Sequence, residues 1–159
     1  MKDTEITDRV RNAMDKQCSD RGYATPVDVL IDLGVLDKQD YLKWRNGKVD
    51  YLERICHCNL SKLSKITKAV RSNAQKMGLK PSFTYYKQWG RKGSPKLLRF
   101  SKSGTADIEK NYATHYVVPK NREKKIEKNT IHTSNPNQDQ QEAIPSLKTV
   151  TPVNRTERN

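Results

Sequence analysis

The sequence predicts a mainly helical protein with one β-hairpin, built as a small helical bundle and followed by a disordered C-terminal tail. Apolar residues recur at helical spacing up to position 77, strand-forming aromatic residues follow Pro81, and no Phe, Tyr or Trp occurs after Tyr116. We therefore expect a helical domain at residues 1–119 with the hairpin near 83–101. Residues 120–159 are expected to form a flexible low-complexity tail, because they hold too little apolar surface to offset the entropy of ordering.

Three helices are predicted within the first 50 residues from their apolar spacing and their end signals. The first helix covers residues 4–21. Thr25 and Asp37 have side-chain oxygens that can cap the second and third helices. Each predicted helix is followed by a glycine that favours termination: Gly22, Gly34 and Gly47.

The fourth helical segment is predicted to begin at a capping box formed by Asp50 and Glu53. Residues 51–77 fit either one long helix or two helices, and the sequence leaves both alternatives open. The candidate break points are Asn59 and Ser61.

The residue pattern changes in the second half of the predicted domain. Residues 83–89 and 97–100 favour two strands, and the turn-rich, strongly basic segment 90–96 favours the loop that joins them. These three segments predict the β-hairpin. A last helix is predicted between Thr105 and Pro119.

The net charge of +13 is unevenly distributed along the chain. Residues 1–50 hold 9 basic and 10 acidic residues, whereas residues 51–118 hold 14 basic and 3 acidic residues. No acidic residue occurs between Glu53 and Asp107, although that interval holds 13 basic residues. A region with one sign of charge attracts polyanions. The sequence therefore predicts nucleic acid as the partner, DNA ahead of RNA, with an acidic protein as the alternative.

Residues 59–77, if helical, separate an apolar stripe from a basic face. An apolar back and a basic front are what a DNA recognition helix needs, and the order helix–turn–helix–hairpin looks like a winged-helix arrangement. The stripe consists of Leu63, Ile66, Val70, Ala74 and Met77. The predicted nucleic-acid contacts are Lys62, Lys65, Lys68, Arg71 and Lys76 in the helix, and Arg91, Lys92, Lys96 and Arg99 in the hairpin. Arg71 and Arg91 are the candidates for contacts with base edges.

Three aromatic residues of the hairpin have two interpretations. Tyr85, Tyr86 and Trp89 supply large side chains to a domain that has few others, so most of them are expected to cover the core. The alternative is that they are stacking platforms for single-stranded bases.

The sequence predicts no catalytic residue, no metal site and no cofactor. Residues 56–58 (CHC) are consecutive, and on the predicted helix their side chains would diverge rather than converge on one ion. Asp28 and Asp32 share a helix face and could hold Mg²⁺, but no nuclease motif accompanies them. We therefore expect a non-enzymatic protein.

The chain is expected to be a soluble cytoplasmic protein without membrane association. Its N-terminus has no apolar signal region, and no stretch approaches the roughly 18–20 apolar residues of a membrane helix. Its three cysteines are an odd number and form no disulfide framework, which favours a reducing compartment. The sequence makes no prediction of the oligomeric state.

Two sequence patterns resemble a family of small uncharacterised bacterial proteins. They read WRNGKVDYLE at residues 44–53 and RFSKSG at residues 99–104, and the second is followed by ATHYV at residues 113–117. The resemblance covers roughly residues 25–118 and implies a shared fold and a bacterial setting. It implies no activity and no site residue.

Overall fold

The computed structural model describes residues 2–120, in which five α-helices and a three-stranded sheet surround an apolar core. The mainly helical class that the sequence predicts is confirmed. The helices are α1 (Asp3–Arg21), α2 (Pro26–Asp32), α3 (Lys38–Arg45), α4 (Leu60–Lys76) and α5 (Ala106–Ala113). The strands are β1 (Tyr23–Ala24), β2 (Lys80–Phe83) and β3 (Thr114–Val117), and a short 3₁₀-helix covers Leu52–Ile55. The predicted tail, residues 120–159, lies outside the described residues except for Lys120.

The end signals of the first three helices act as the sequence predicts. The Thr25 hydroxyl accepts a hydrogen bond from the Asp28 N–H at 3.0 Å, and the Asp37 carboxylate accepts one from the Gln39 N–H at 2.8 Å. Gly22 ends α1 in the left-handed region at φ 85°, where a side chain would be strained. Local capping therefore sets where these helices begin and end.

Residues 51–77 form two helices rather than one. The 3₁₀-helix Leu52–Ile55 comes first, and α4 begins after Asn59, one of the two candidate break points. The Asn59 side chain caps α4 by accepting a hydrogen bond from the Lys62 N–H at 2.9 Å. Residues 56–58 lie between the two helices, so the helical geometry expected for them is wrong.

The predicted capping box at Asp50 and Glu53 is also wrong. Asp50 forms an exposed ion pair with Arg54 at 3.1 Å. The Glu53 carboxylate instead accepts hydrogen bonds from the Lys102 N–H at 2.9 Å and the Tyr112 hydroxyl at 2.8 Å. Tertiary partners far along the chain have therefore replaced a local cap.

The sheet is antiparallel in the order β1-β3-β2, and its central strand occupies a segment predicted to be helical. Helix α5 ends at Ala113, whereas the sequence predicts that the last helix continues to Pro119. Thr114, which is β-branched, and the aromatic Tyr116 favour extended backbone, and both are buried in β3. Thr114 pairs with Phe83, which is the last residue of β2 and the first residue of the predicted hairpin arm. The start of that arm therefore belongs to this sheet.

The predicted hairpin at residues 83–101 is reduced to a single bridge. Lys87 and Leu97 form that bridge, which is flanked by two backbone hydrogen bonds of 2.8 Å. Beyond it the arms separate, because the carbonyl oxygens of Arg99 and Phe100 accept from the 3₁₀-helix at 3.2 and 2.9 Å. The two arms therefore meet only near the basic loop.

Trp44 connects the helices to the hairpin at the centre of the core. Its side chain is completely buried, and its indole N–H donates to the Arg99 carbonyl at 2.9 Å. Its ring centroid lies 5.1 Å from that of Phe100 and 5.8 Å from that of Tyr86. Within residues 2–120, no helix has the length and apolar character that crossing a membrane requires.

Candidate nucleic-acid interface

The basic face of α4 lies opposite an apolar stripe that is completely buried in the core. All five residues of the predicted stripe are buried, and α4 packs against α1 and α2. Lys65, Lys68 and Lys76 are exposed, whereas Lys62 and Arg71 are half-buried. The helix is therefore rigidly mounted with its basic residues on the outer side.

The five basic residues of α4 differ in what they contact. Lys65 lies 2.9 Å from Asp3, in an ion pair that is exposed and therefore weak. Burial raises the pKa of Tyr116, and the positive charge of nearby Arg71 partly opposes that rise. Within the described part of the chain, no ion pair is formed by Lys62, Lys68 or Lys76.

The basic loop of the hairpin is held by contacts of the preceding residue, Trp89, and carries exposed cationic side chains. The Trp89 N–H donates to the carbonyl oxygen of Arg45, at the end of α3, at 2.7 Å. The guanidinium carbon of Arg45 lies 4.4 Å from the Trp89 ring centroid, which adds a cation–π contact. Beyond this anchor, Arg91, Lys92 and Lys96 are all exposed.

The nine predicted contact residues therefore form two groups on different supports. Five lie on α4, which packs on α1, and four belong to the hairpin, whose loop is held by α3. Arg99 is exposed, but its guanidinium donates to the carbonyl oxygens of Ser101 and Lys102 at 3.0 and 3.4 Å. It also lies 5.2 Å from the Tyr51 ring centroid, so its side chain braces its own segment.

The two sequence patterns at residues 44–53 and 99–104 contact each other directly. The first pattern supplies the Trp44 indole N–H and the backbone N–H groups of the 3₁₀-helix as donors to the second. The Glu53 carboxylate accepts a hydrogen bond from the Lys102 N–H. Burial and the nearby Glu53 carboxylate both raise the pKa of Tyr112. We call this contact the pattern junction. It gives both patterns a structural role.

Two carboxylates accept hydrogen bonds from the second pattern: Glu53, at the end of the first pattern, and Glu109, in α5. The Glu109 carboxylate accepts from the N–H groups of Phe100 and Ser101 at 2.9 and 2.7 Å, and from the Ser101 hydroxyl at 2.6 Å. Glu53 is occupied in the same way by Lys102. Both carboxylates therefore hold residues 99–104 in place, and their oxygens are committed to protein donors.

Only one of the three hairpin aromatic residues covers the core, whereas the sequence predicts that most of them do. Tyr86 is buried, with 8% of its surface exposed, but Tyr85 and Trp89 are 62% and 44% exposed. The expectation that most of the three are core residues is therefore wrong. Phe83, at the end of β2, is also exposed at 49%. Sequence alone missed this because residue type does not tell which face of a hairpin arm meets solvent.

An open cavity of about 680 Å³ lies between the hairpin arms and α5. We call it the aromatic groove. Its lining includes Phe83, Tyr85, Leu97, Phe100, Arg99 and Lys110. The groove thus combines apolar walls with cationic side chains, a combination that the sequence pattern did not reveal.

A second, polar cavity of about 380 Å³ lies between β1, α2, α3 and the hairpin. Arg21 and Asp28, which both line it, form an ion pair of 2.6 Å. His115 lines it too and contacts the Tyr86 hydroxyl through Nε2 at 2.9 Å. Burial lowers the pKa of His115, and Asp28 partly opposes that change.

The two cysteines that precede α4 are protonated thiols at neutral pH. Cys18, Cys56 and Cys58 form no disulfide bond among residues 2–120. Burial raises the pKa of Cys56 to about 12 and also raises that of Cys58, so neither is a thiolate at neutral pH. Among residues 2–120, no three His, Cys, Asp or Glu side chains are grouped closely enough to hold a metal ion.

No family model, curated protein or solved structure matches this chain. Its function must therefore be inferred from the charge, exposure and contacts of its own residues. The two most informative features are the exposed cations of the acid-free interval and the aromatic groove beside them.

Proposed function

We propose that this chain is a non-enzymatic nucleic-acid-binding protein with duplex DNA as its target. One observation carries the proposal. The interval between Glu53 and Asp107 holds 13 basic residues and no acid, and all of these bases except Lys62 and Arg71 are exposed. Only two of them, Arg54 and Lys65, form ion pairs within residues 2–120. Exposed cations without acidic partners bind phosphates and release the counterions that surround DNA.

The proposed docking follows the winged-helix arrangement. Helix α4 enters the major groove with Lys68 and Lys76 toward phosphates, and the basic loop contacts the neighbouring backbone. The rigid packing of α4 on α1 supports this role. Arg91 is a better candidate than Arg71 for a base-edge contact, because Arg71 is half-buried beside Tyr116.

The alternative is an interaction protein that docks an acidic protein partner. Exposed Tyr85 and Trp89 favour it, because Tyr, Trp and Arg are enriched in protein–protein interfaces. The two functions differ in their response to nuclease. A complex with an acidic protein survives nuclease treatment of a pull-down, whereas capture through nucleic acid is lost.

A salt series tests the proposal. Binding of the full chain to a labelled random duplex, followed by fluorescence anisotropy, should weaken linearly in log–log terms, with a slope of roughly −0.9 per phosphate contact. The double variant Lys68→Ala/Lys76→Ala should reduce that slope by up to roughly 1.8.

The matched control is Lys38→Ala. Lys38 is also exposed, but it lines a cavity together with Asp20, Asp28 and Asp32, so its loss should leave the slope unchanged. Undetectable binding, or a slope that the double variant and the control change equally, would contradict the proposed function.

A further inference from the structure

The aromatic groove brings several exposed apolar side chains together in one place. Phe83, Tyr85 and Leu97 are all among the most exposed large apolar residues of residues 2–120, and all three line this one cavity. Scattered apolar residues on a surface are ordinary, whereas a contiguous group of them marks a place where something binds. The groove is therefore a candidate ligand site.

The shape of the groove suits a flat ring. The Phe83 and Tyr85 ring centroids are 4.9 Å apart, and their planes meet at 80°. A planar group that stacks on the exposed Tyr85 ring would lie nearly perpendicular to the Phe83 ring, and parallel and perpendicular ring arrangements are both favourable for aromatic systems. The volume of about 680 Å³ lies within the roughly 300–1,000 Å³ of small-molecule sites.

The charges around the groove suit a ligand that is flat inside and negative outside. Arg99 and Lys110 line the cavity itself, and Arg91, Lys92 and Lys96 belong to the loop that closes the hairpin. The Glu109 carboxylate also lines the groove, but its oxygens accept three hydrogen bonds from residues 100 and 101. A polyanionic chain that carries aromatic rings, such as a nucleic-acid strand, complements both the aromatic walls and the surrounding cations.

We propose that the aromatic groove binds an unpaired nucleobase of a DNA strand, with the flanking phosphates held by the hairpin cations. The inference rests on the proposed function and deepens it. The preferred target becomes a duplex that carries a single-stranded tail. The duplex lies on the basic face of α4, and a base of the tail stacks on Tyr85.

Three labelled DNAs of one sequence test the inference: a blunt duplex, the same duplex with a short single-stranded tail, and the single strand. The full chain should bind the tailed duplex at least about fivefold more tightly than the blunt one, as expected for one stacked base. Tyr85→Ala should remove that difference and leave the affinity for the blunt duplex unchanged. Tyr85→Phe keeps an aromatic face and should retain it.

Leu60→Ala is the matched control. Leu60 is 57% exposed, close to the 62% of Tyr85, but lines a different cavity beside α4. It should leave the preference for the tailed duplex intact, and thermal melts should show that all variants are folded. Equal binding of blunt and tailed duplexes would overturn the groove proposal, and so would a preference for the tailed duplex that survives Tyr85→Ala. Neither result would contradict duplex binding itself. Salt-insensitive or absent binding of all three DNAs would overturn the proposed function as well.

Discussion

The basic residues of the N-terminal helices and those of the acid-free interval have different neighbours. In the first 50 residues, most described basic side chains on the helices lie beside an acid one or two turns away or on the next helix. The ion pairs there are Arg11 with Asp15, Lys16 with Asp20, Arg21 with Asp28, and Lys43 with Asp40. In the acid-free interval, only Arg54 and Lys65 have such a partner within residues 2–120.

This difference teaches that the proposed binding surface depends on the pattern of charge along the chain rather than on its total. A lysine beside an aspartate contributes a few tenths of a kcal/mol to its helix, roughly 0.3–0.5 kcal/mol, and presents little net charge to a ligand. A lysine without such a partner repels its neighbours in the free protein and attracts phosphate. In the proposed function, the N-terminal helices form the scaffold, and the acid-free interval presents the surface that binds DNA.

The largest expected effect comes from breaking the connection between these two regions. Trp44→Ala removes the buried indole that joins α3 to Arg99 and Phe100. We expect it to lower the free energy of unfolding by about 3–5 kcal/mol in urea denaturation. The matched change Trp89→Ala removes the same side chain from an exposed site and should cost far less. Equal losses would contradict the central position of Trp44.

A smaller effect is expected from the carboxylate at the pattern junction. Glu53→Ala leaves the Lys102 N–H and the Tyr112 hydroxyl without their acceptor, which should lower the free energy of unfolding by about 1–3 kcal/mol. Asp50→Ala, which removes only an exposed ion pair with Arg54, should cost about 0–1 kcal/mol. Thermal or urea melts of both variants measure the difference, and a reversed order would refute the structural role of Glu53.

The smallest expected effect is a pH dependence at the polar cavity. Burial lowers the folded-state pKa of His115 below its ordinary value of 6.5, so the unfolded chain takes up the proton first as the pH falls. The contribution of neutral His115 to the free energy of unfolding is therefore fully present above about pH 6.5 and declines as the pH falls below that value.

Melting temperatures between pH 7.5 and 5.5 measure the effect of His115. His115→Gln should weaken the decline, because glutamine does not take up a proton in this pH range. A decline of the same size in the wild-type chain and in the His115→Gln variant would mean that other groups cause it.

The sequence predicted what local chemistry decides. The caps at Thr25 and Asp37 and the buried stripe of α4 are correct, because a cap or a helical period depends on residues within a few positions of each other. The basic face of α4 follows from the same periodicity. The sequence also identifies Asn59 as a candidate break, but whether the helix breaks there is decided only in the folded structure, where Asn59 caps α4.

The failed predictions all involve partners far along the chain. The sequence predicts a local cap at Glu53, but its carboxylate accepts hydrogen bonds from Lys102 and Tyr112, 49 and 59 positions away. The second hairpin arm leaves the first because Arg99 accepts bonds from Trp44 and the 3₁₀-helix. Thr114 extends because β2 lies beside it. The aromatic groove depends on these same long-range contacts, so its exposed rings could not be anticipated.

The most direct test of the central claim compares two variants of identical net charge. One replaces Lys68, Lys92 and Lys96 with alanine, and the other replaces Lys16, Lys38 and Lys43, so each loses three exposed cations. The salt dependence of duplex binding is then measured for both. We expect the first variant to lose roughly 0.9 of slope for each phosphate contact removed and the second to bind like the wild-type chain. Equal weakening of both variants would show that total charge governs binding, and would contradict a surface located in the acid-free interval.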